Sequence, residues 1–156
     1  RLTDTTGGAE GASRDFGADC KLPPVDSLGY FVTIDPDECR RLMGDAVVGR
    51  VSWVSEDGRL QVLPVNYGLV DDRIVFRVAQ GTILEELATP RAVAFQVDDL
   101  DGQTATGWSV LVQGRTGPWS GEVPVISPWA PGRREVAVAI EPTSWSGRSV
   151  SADEGV

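Results

Sequence analysis

The feature that most constrains the fold of this chain is a series of short apolar runs, bounded by turn residues, that starts at Val47. Runs of this length in which apolar and polar residues alternate are typical of half-buried β-strands. They predict six strands, at residues 47–55, 60–67, 74–79, 91–97, 108–114 and 135–140. Short strands at short intervals favour an antiparallel sheet or barrel. The chain is therefore predicted to be mainly β.

Two short helices are predicted beside these strands. The first starts at Asp35, where an N-cap residue is followed by a proline and a capping-box acid, and it stops at Gly44. Its apolar side carries Cys39, Leu42 and Met43. The second helix spans residues 82–88.

Pro64 lies inside the second predicted strand, where it cannot donate a hydrogen bond to a neighbouring strand. Prolines in sheets occur at edges, bulges and strand starts, so residues 63–67 are expected to expose backbone groups. Such groups could hydrogen-bond the edge of a flat heterocycle, or they could simply mark an edge strand. Taken alone, the strand favours the second interpretation.

The segment 76–87 predicts a strand that ends in a tight turn and opens a helix. A turn of this kind can hold a phosphate, because Arg77 offers a cation, Gly81 lets the backbone approach a ligand and Thr82 offers a hydroxyl. The same residues also fit a capping box, in which Glu85 folds back onto the backbone N–H of Thr82. Local evidence favours plain capping over phosphate binding.

The length and composition predict one folded domain. A chain of 156 residues with 41% hydrophobic residues can bury one core of ordinary size. Residues 1–29 are rich in small and polar residues without periodicity, so we expect a disordered tail there. The folded domain is expected to span residues 30–150, with a disordered end at residues 151–156.

Charge and residue usage exclude several classes of function. A formal net charge of -9 disfavours binding to nucleic acid or to an anionic membrane, and no apolar run is long enough for a membrane helix. The absence of histidine excludes Ser-His and Cys-His nucleophile pairs and histidine-ligated zinc. If the chain is an enzyme, a cofactor is expected to carry the chemistry.

The two cysteines, Cys20 and Cys39, form no CxxC pair and lie in segments of different character. They indicate neither a disulfide framework nor a metal site. Together with the lack of any segment that resembles a signal peptide, this favours a reduced, cytoplasmic setting.

Five motifs occur in an order that resembles the pyridoxamine 5'-phosphate oxidase-like family, the FMN-binding split β-barrels, and in particular its short actinobacterial-type members. The motifs are Val48-Gly49-Arg50-Val51, Pro64-Val65-Asn66-Tyr67, the turn from Phe76-Arg77 to Gly81-Thr82, the segment 107–115 and the segment 128–134. The likeness covers about residues 33 to 148. It implies a homodimer of six-stranded antiparallel split β-barrels with a few short helices and two flavin sites at the subunit interface.

The resemblance also implies which residues bind the flavin. They are the phosphate clamp of Arg77 and Thr82 with Gly81 beside it, the strand Pro64, Val65, Asn66 and Tyr67 along the isoalloxazine ring, and Trp108 and Ser109, which approach the cofactor from the same subunit or its partner. Trp108 fits a core or interface position equally well, because an aromatic ring buries a large area.

One position departs from the family pattern. Members commonly carry lysine directly after the Ser or Thr of the phosphate turn, and here that position is Ile83. Losing a charge-assisted contact of roughly 1.5 to 3 kcal/mol would weaken binding about ten- to a hundredfold. The candidates for a replacement charge are Arg50, Arg115, Arg133 and Arg134.

Three functions remain open from the sequence. The first is an FMN-dependent oxidoreductase acting on an unidentified small molecule, in which Tyr67 is the nearest acid or base by position. The second uses a deazaflavin coenzyme, whose long acidic tail would require a basic groove, with Arg133 and Arg134 as the available hint. The third is a dimeric barrel that binds flavin or another ligand without turnover.

Overall fold

The computed structural model describes residues 30–124 and 132–151. In these residues the chain forms seven strands, one α-helix and one 3-10 helix. In chain order they are β1 (Tyr30–Ile34), α1 (Pro36–Asp45), β2 (Val48–Val54), β3 (Leu60–Val70), β4 (Arg73–Val78), the 3-10 helix (Ile83–Ala88), β5 (Ala92–Asp101), β6 (Thr106–Pro118) and β7 (Val136–Ser151). The tail predicted at residues 1–29, Cys20, residues 125–131 and residues 152–156 lie outside the described residues.

All strand pairs are antiparallel, and six strands close into a ring. The sheet order is β1-β7-β4-β3-β2-β5-β6, and an additional pairing of β6 with β7 joins the ends. The predicted mainly β fold with a six-stranded barrel is therefore confirmed. β1 is a seventh strand that the sequence did not reveal, and it pairs with the last five residues of β7.

β7 is much longer than the predicted strand 135–140, because it pairs with three neighbouring strands. Its first part pairs with β4, its last part with β1, and nearly its whole length with β6. The structure accommodates Pro142 at a shift in register, where Gln113 lies opposite Ser144 and Gly114 opposite Pro142, so that Thr143 is the extra residue of a bulge.

The interior of the ring is filled by the alternate residues of each strand. Phe76, Phe95, Ile74 and Ile140 are fully buried there, and the rings of Tyr67 and Phe95 meet edge to face with centroids 5.0 Å apart. Gly49 faces the Phe95 ring, and a β-carbon at this position would overlap it. A small residue in the first family-like motif is thus required by packing.

α1 covers one end of the barrel and begins as predicted. The Asp35 carboxylate accepts the backbone N–H groups of Asp37 at 2.9 Å and Glu38 at 3.1 Å. Cys39 and Met43 are the buried residues of this helix. None of the helices in the described ranges is both long and apolar enough to cross a membrane.

The outer wall of the barrel has a covered half and an uncovered half. On the covered half, Gly68, Val75 and Ala139 form a row across three strands. Val75 and Ala139 are buried, and Pro124 from the connection after β6 packs directly on Gly68. The uncovered half is the outer face of β2, β3, β5 and β6. Its exposed apolar side chains are Val54, Leu60, Val62, Leu100 and Leu111.

Candidate functional site

β3 and β4 separate partway along their length, and this opens the barrel. They pair from Tyr67 opposite Phe76 to Val70 opposite Arg73. The earlier part of β3, from Leu60 to Asn66, pairs only with β2 among the described strands. This segment is an edge, as Pro64 predicted, and its second side presents backbone N–H and C=O groups.

The four residues predicted to lie along a flavin ring point to opposite sides of β3. Val65 and Tyr67 are buried in the barrel, whereas Pro64 is exposed and Asn66 half-exposed on the outer face. Successive side chains of a strand must alternate in this way. Only Pro64 and Asn66 can therefore offer side chains to a ligand on the outer face, and Val65 and Tyr67 can offer only backbone groups.

Tyr67 has a structural role in the core. Its hydroxyl donates a 2.6 Å hydrogen bond to the carbonyl of Met43 near the end of α1. Burial raises the pKa of this phenol well above its ordinary value. A neutral phenol with a satisfied proton is suited to packing and not to proton transfer.

Arg77 and Asn66 lie at the point where the two strands separate. Arg77 follows Phe76, whose opposite residue is Tyr67, so Arg77 is beside the open edge and points outward. The guanidinium is exposed and forms no ion pair with any residue in the described ranges. The side-chain amide of Asn66 donates to the carbonyl of Val47 at 3.3 Å. The structure thus places Asn66 and Arg77 at the point of separation, with Pro64 two residues away on the open edge of β3.

The turn after β4 satisfies its own polar groups. Gly81 adopts a φ of 76°, and its N–H donates to a carboxylate oxygen of Glu85 at 2.7 Å. The Thr82 hydroxyl donates to the carbonyl of Ala79 at 2.7 Å. The predicted capping box is wrong, because Glu85 takes the amide of Gly81 and not that of Thr82, and the Thr82 side chain caps no helix N–H. The helix that follows is also a 3-10 helix, which changes the spacing of its first turn.

A polar network that the sequence did not reveal fixes this 3-10 helix against the barrel. One carboxylate oxygen of Glu86 accepts from the indole N–H of Trp53 at 3.2 Å and from the backbone N–H of Glu56 at 3.3 Å. Arg91 lies 3.4 Å from the same oxygen and donates to the carbonyl of Glu86 at 3.1 Å. The partners are distant in sequence, so no local pattern could have indicated them.

The arginines proposed to replace the missing lysine differ in their surroundings. Arg50 lies opposite Pro64 on the outer face and is 3.1 Å from Asp98. Hydrogen bonds from Gln96 and then Arg50 hold the pKa of Asp98 below its usual value. Arg133 is fully exposed beside Glu135 at 3.7 Å. Ile83 itself is 40% exposed at the turn.

Trp108 and Ser109 lie far from this turn within one chain. Trp108 lines a cavity of about 540 Å³ against the first turn of α1, with Asp35 and Glu38 nearby. Ser109 is on the opposite face of β6, opposite Asp98. Thr116 marks the end of β6 near the 3-10 helix, since its hydroxyl donates to the carbonyl of Thr89. Trp108 and Thr116 are eight positions apart on β6, which is about 26 Å, so one chain does not bring Trp108 and Ser109 to Arg77.

The residues present meet part of what a flavin requires of its site. The open edge of β3 and the apolar outer face suit a flat ring that accepts and donates hydrogen bonds at its rim. Arg77 suits a phosphate. The two neutral donors of the turn, Gly81 N–H and the Thr82 hydroxyl, are already engaged within the chain. The site therefore fits the ring well and fits the phosphate through Arg77.

Comparison with known proteins places these features in a family. The family model described as pyridoxamine 5'-phosphate oxidase matches residues 35–149. An uncharacterised protein of Mycobacterium tuberculosis is 32% identical over 133 residues, which are 78% of this chain and 87% of that protein.

Two solved structures extend the comparison. The FAD binding protein from Mycobacterium smegmatis is 27% identical with a TM-score of 0.62, over 77% of this chain and 98% of that one. The FAD-binding protein from Mesorhizobium loti is 25% identical with a TM-score of 0.63, over 79% of this chain and 98% of that one.

Proposed function

The chain belongs to the pyridoxamine 5'-phosphate oxidase family, and from this premise we propose that it is a flavin-binding oxidoreductase that acts on a small organic molecule. The observation that carries the proposal is the open edge of β3 from Leu60 to Asn66, with Arg77 beside it. The similarity to two proteins named as FAD-binding supports a flavin as the ligand. FMN is the flavin that we propose, because one phosphate is what Arg77 can meet.

In this proposal the flavin supplies the redox chemistry, passing electrons or a hydride between the substrate and a second partner. The chain supplies binding and orientation. Backbone groups of β3 would hydrogen-bond the ring rim, Pro64 and Asn66 would contact it from the outer face, and Arg77 would neutralise the phosphate. Tyr67 takes no part in proton transfer, because its hydroxyl is bound to Met43 within the core.

We also propose that a second copy of this chain covers the uncovered half of the outer wall. Val54, Leu60 and Val62 are 54%, 84% and 60% exposed there, and a contiguous apolar surface on a sheet is typical of an interface. A two-fold dimer would bring the β6 strand of the partner towards the β3 edge. Ser109, which faces outward, and Trp108 next to it would then serve the flavin of the other subunit.

A barrel that binds flavin without turnover is the second candidate. The described site offers no free acid or base beside the ring, and the donors of the turn are satisfied internally. A deazaflavin coenzyme is a further candidate ligand for the same edge.

The test is a visible absorption spectrum of the purified protein, followed by titration with FMN and with a deazaflavin coenzyme while the ligand's fluorescence is recorded. We expect saturable quenching by FMN. Arg77→Ala should weaken FMN binding about tenfold and leave the melting temperature nearly unchanged, because Arg77 is exposed. Arg41→Ala, an exposed arginine of α1, is the matched control. A protein that binds neither compound would contradict the flavin proposal.

A further inference from the structure

The carboxylate of Glu85 lies at the turn where a phosphate would be expected to bind. Its oxygen accepts the Gly81 N–H at 2.7 Å, and Gly81 adopts a φ of 76°. The donor belongs to the loop before the 3-10 helix, and a side chain already supplies its acceptor. An anionic ligand that used this N–H would have to displace Glu85.

Glu85 is carried by an element that is held in place. The 3-10 helix is tied to β2 through Trp53 and to Arg91 through the carboxylate of the neighbouring Glu86. The backbone N–H of Glu85 also donates to the carbonyl of Thr82 at 3.0 Å. These contacts keep the Glu85 carboxylate at the turn and so favour its bond with Gly81.

The turn therefore combines one attractive and one repulsive charge. Arg77 is exposed and has no ion pair within the described ranges, so it attracts a phosphate. Glu85 repels one and occupies a donor, since two anions compete for a single N–H. Ile83 adds no charge of its own. The two opposed charges leave little net preference for a phosphate.

We infer that Glu85 is the residue that determines how strongly this chain selects a phosphate-bearing flavin over one without a phosphate. The inference deepens the proposed function and rests on it for the identity of the ligand. If Glu85 has this role, the affinity for a flavin comes from contacts between its ring and the β3 edge, and FMN and riboflavin bind with similar strength. Removing Glu85 restores the preference for FMN.

The first experiment compares the dissociation constants of FMN and riboflavin for the parent and for Glu85→Ala. We expect the parent constants to agree within about threefold. In Glu85→Ala we expect FMN to bind about tenfold more tightly than riboflavin, with riboflavin affinity unchanged, because a charged repulsion is lost and an N–H becomes available. Glu85→Gln keeps an acceptor for Gly81 and loses only the charge, so it should give a smaller gain and serves if Glu85→Ala does not fold.

The matched control is Asp71→Asn. It removes one negative charge at the opposite end of β4, where Asp71 has a φ of 48° that asparagine also accepts. Its ratio of FMN to riboflavin affinity should equal that of the parent. The inference is overturned if the parent already prefers FMN by tenfold, or if the ratio is the same in parent and Glu85→Ala.

A second experiment separates this inference from the flavin proposal. Inorganic phosphate is added to ¹⁵N-labelled protein, and the amide resonance of Gly81 is followed. We expect no saturable shift in the parent and a saturable shift in Glu85→Ala. If neither flavin binds but this pattern is seen, the flavin proposal fails and the role of Glu85 stands. A saturable shift in the parent, or none in Glu85→Ala, overturns the role of Glu85.

Discussion

The covered and uncovered halves of the barrel wall contain similar residues in different surroundings. Val75 and Val62 both point outward from strands of one sheet, yet Val75 is fully buried and Val62 is 60% exposed. On the covered half, Pro124 from the connection after β6 packs on Gly68, the residue opposite Val75. The exposure of an outward side chain on this wall thus depends on whether another segment packs over it. The uncovered half is where we expect another molecule to bind.

The largest effect should come from placing a charge on each half in turn. Val75→Asp places a carboxylate at a fully buried position and should cost more than about 3 kcal/mol of unfolding free energy. Val62→Asp should leave the fold nearly as stable, but it should weaken self-association about a hundredfold by charging the proposed interface. Urea unfolding measures the first effect and sedimentation equilibrium the second.

A matched control for Val62→Asp is Val32→Asp, an equally exposed valine on β1. It should not change self-association. If Val62→Asp also leaves association unchanged, the second copy does not cover this half. If Val75→Asp leaves the free energy of unfolding unchanged, Val75 is not buried in solution.

A smaller effect is expected at Tyr67, where β3 passes from the covered half into the uncovered half. Tyr67→Phe keeps the contact with Phe95 and removes the bond to Met43, so it should cost about 1 kcal/mol. FMN affinity and any turnover should stay within about twofold of the parent. Thermal unfolding and flavin titration give the two values. A large loss of turnover with unchanged stability would mean that the Tyr67 hydroxyl takes part in the reaction.

The smallest effect is expected in the hairpin at the end of the uncovered half. Arg59, which donates to Asp57 at 2.7 Å, and the Ser55 hydroxyl lower the pKa of Asp57 from its usual 3.8 to about 2. A depressed pKa stabilises the folded state above the unfolded value and loses that contribution as pH falls from about 3.8 to about 2.

Asp57→Asn should therefore lower stability slightly at pH 7 and remove this part of the acid dependence. Unfolding curves at a series of pH values test it, with Asp71→Asn as the control. An unchanged acid profile in Asp57→Asn would mean that the hairpin contacts do not persist in solution.

Much of the fold was predictable, because it depends on local signals. Alternation and turn residues located six strands, and the cap at Asp35 located α1. The extent of β7 was not predictable, since it depends on the bulge opposite Gln113 and on the pairing with β1. The length of a strand such as β7 depends on pairing with strands that are distant in sequence, and a local residue pattern carries no information about that pairing.

The candidate site was predictable only in part. The open edge at Pro64 and the outward Arg77 follow from residue type and strand alternation. The sequence indicated that Glu85 would satisfy the turn but not that Gly81 would be its donor, because this depends on the 3-10 geometry. The distance between Trp108 and the turn required the complete register of β6.

The position of β7 has a consequence for how the chain folds. It follows the other six described strands, yet it pairs with β1, β4 and β6 and closes the ring. Pairings as distant as Tyr30 with Ser151 must form late, because closing long loops costs entropy before any contact repays it. As the chain leaves the ribosome, β4 and β6 keep unpaired edges until β7 emerges. Aggregation during synthesis is therefore most favoured in the interval before this last strand arrives.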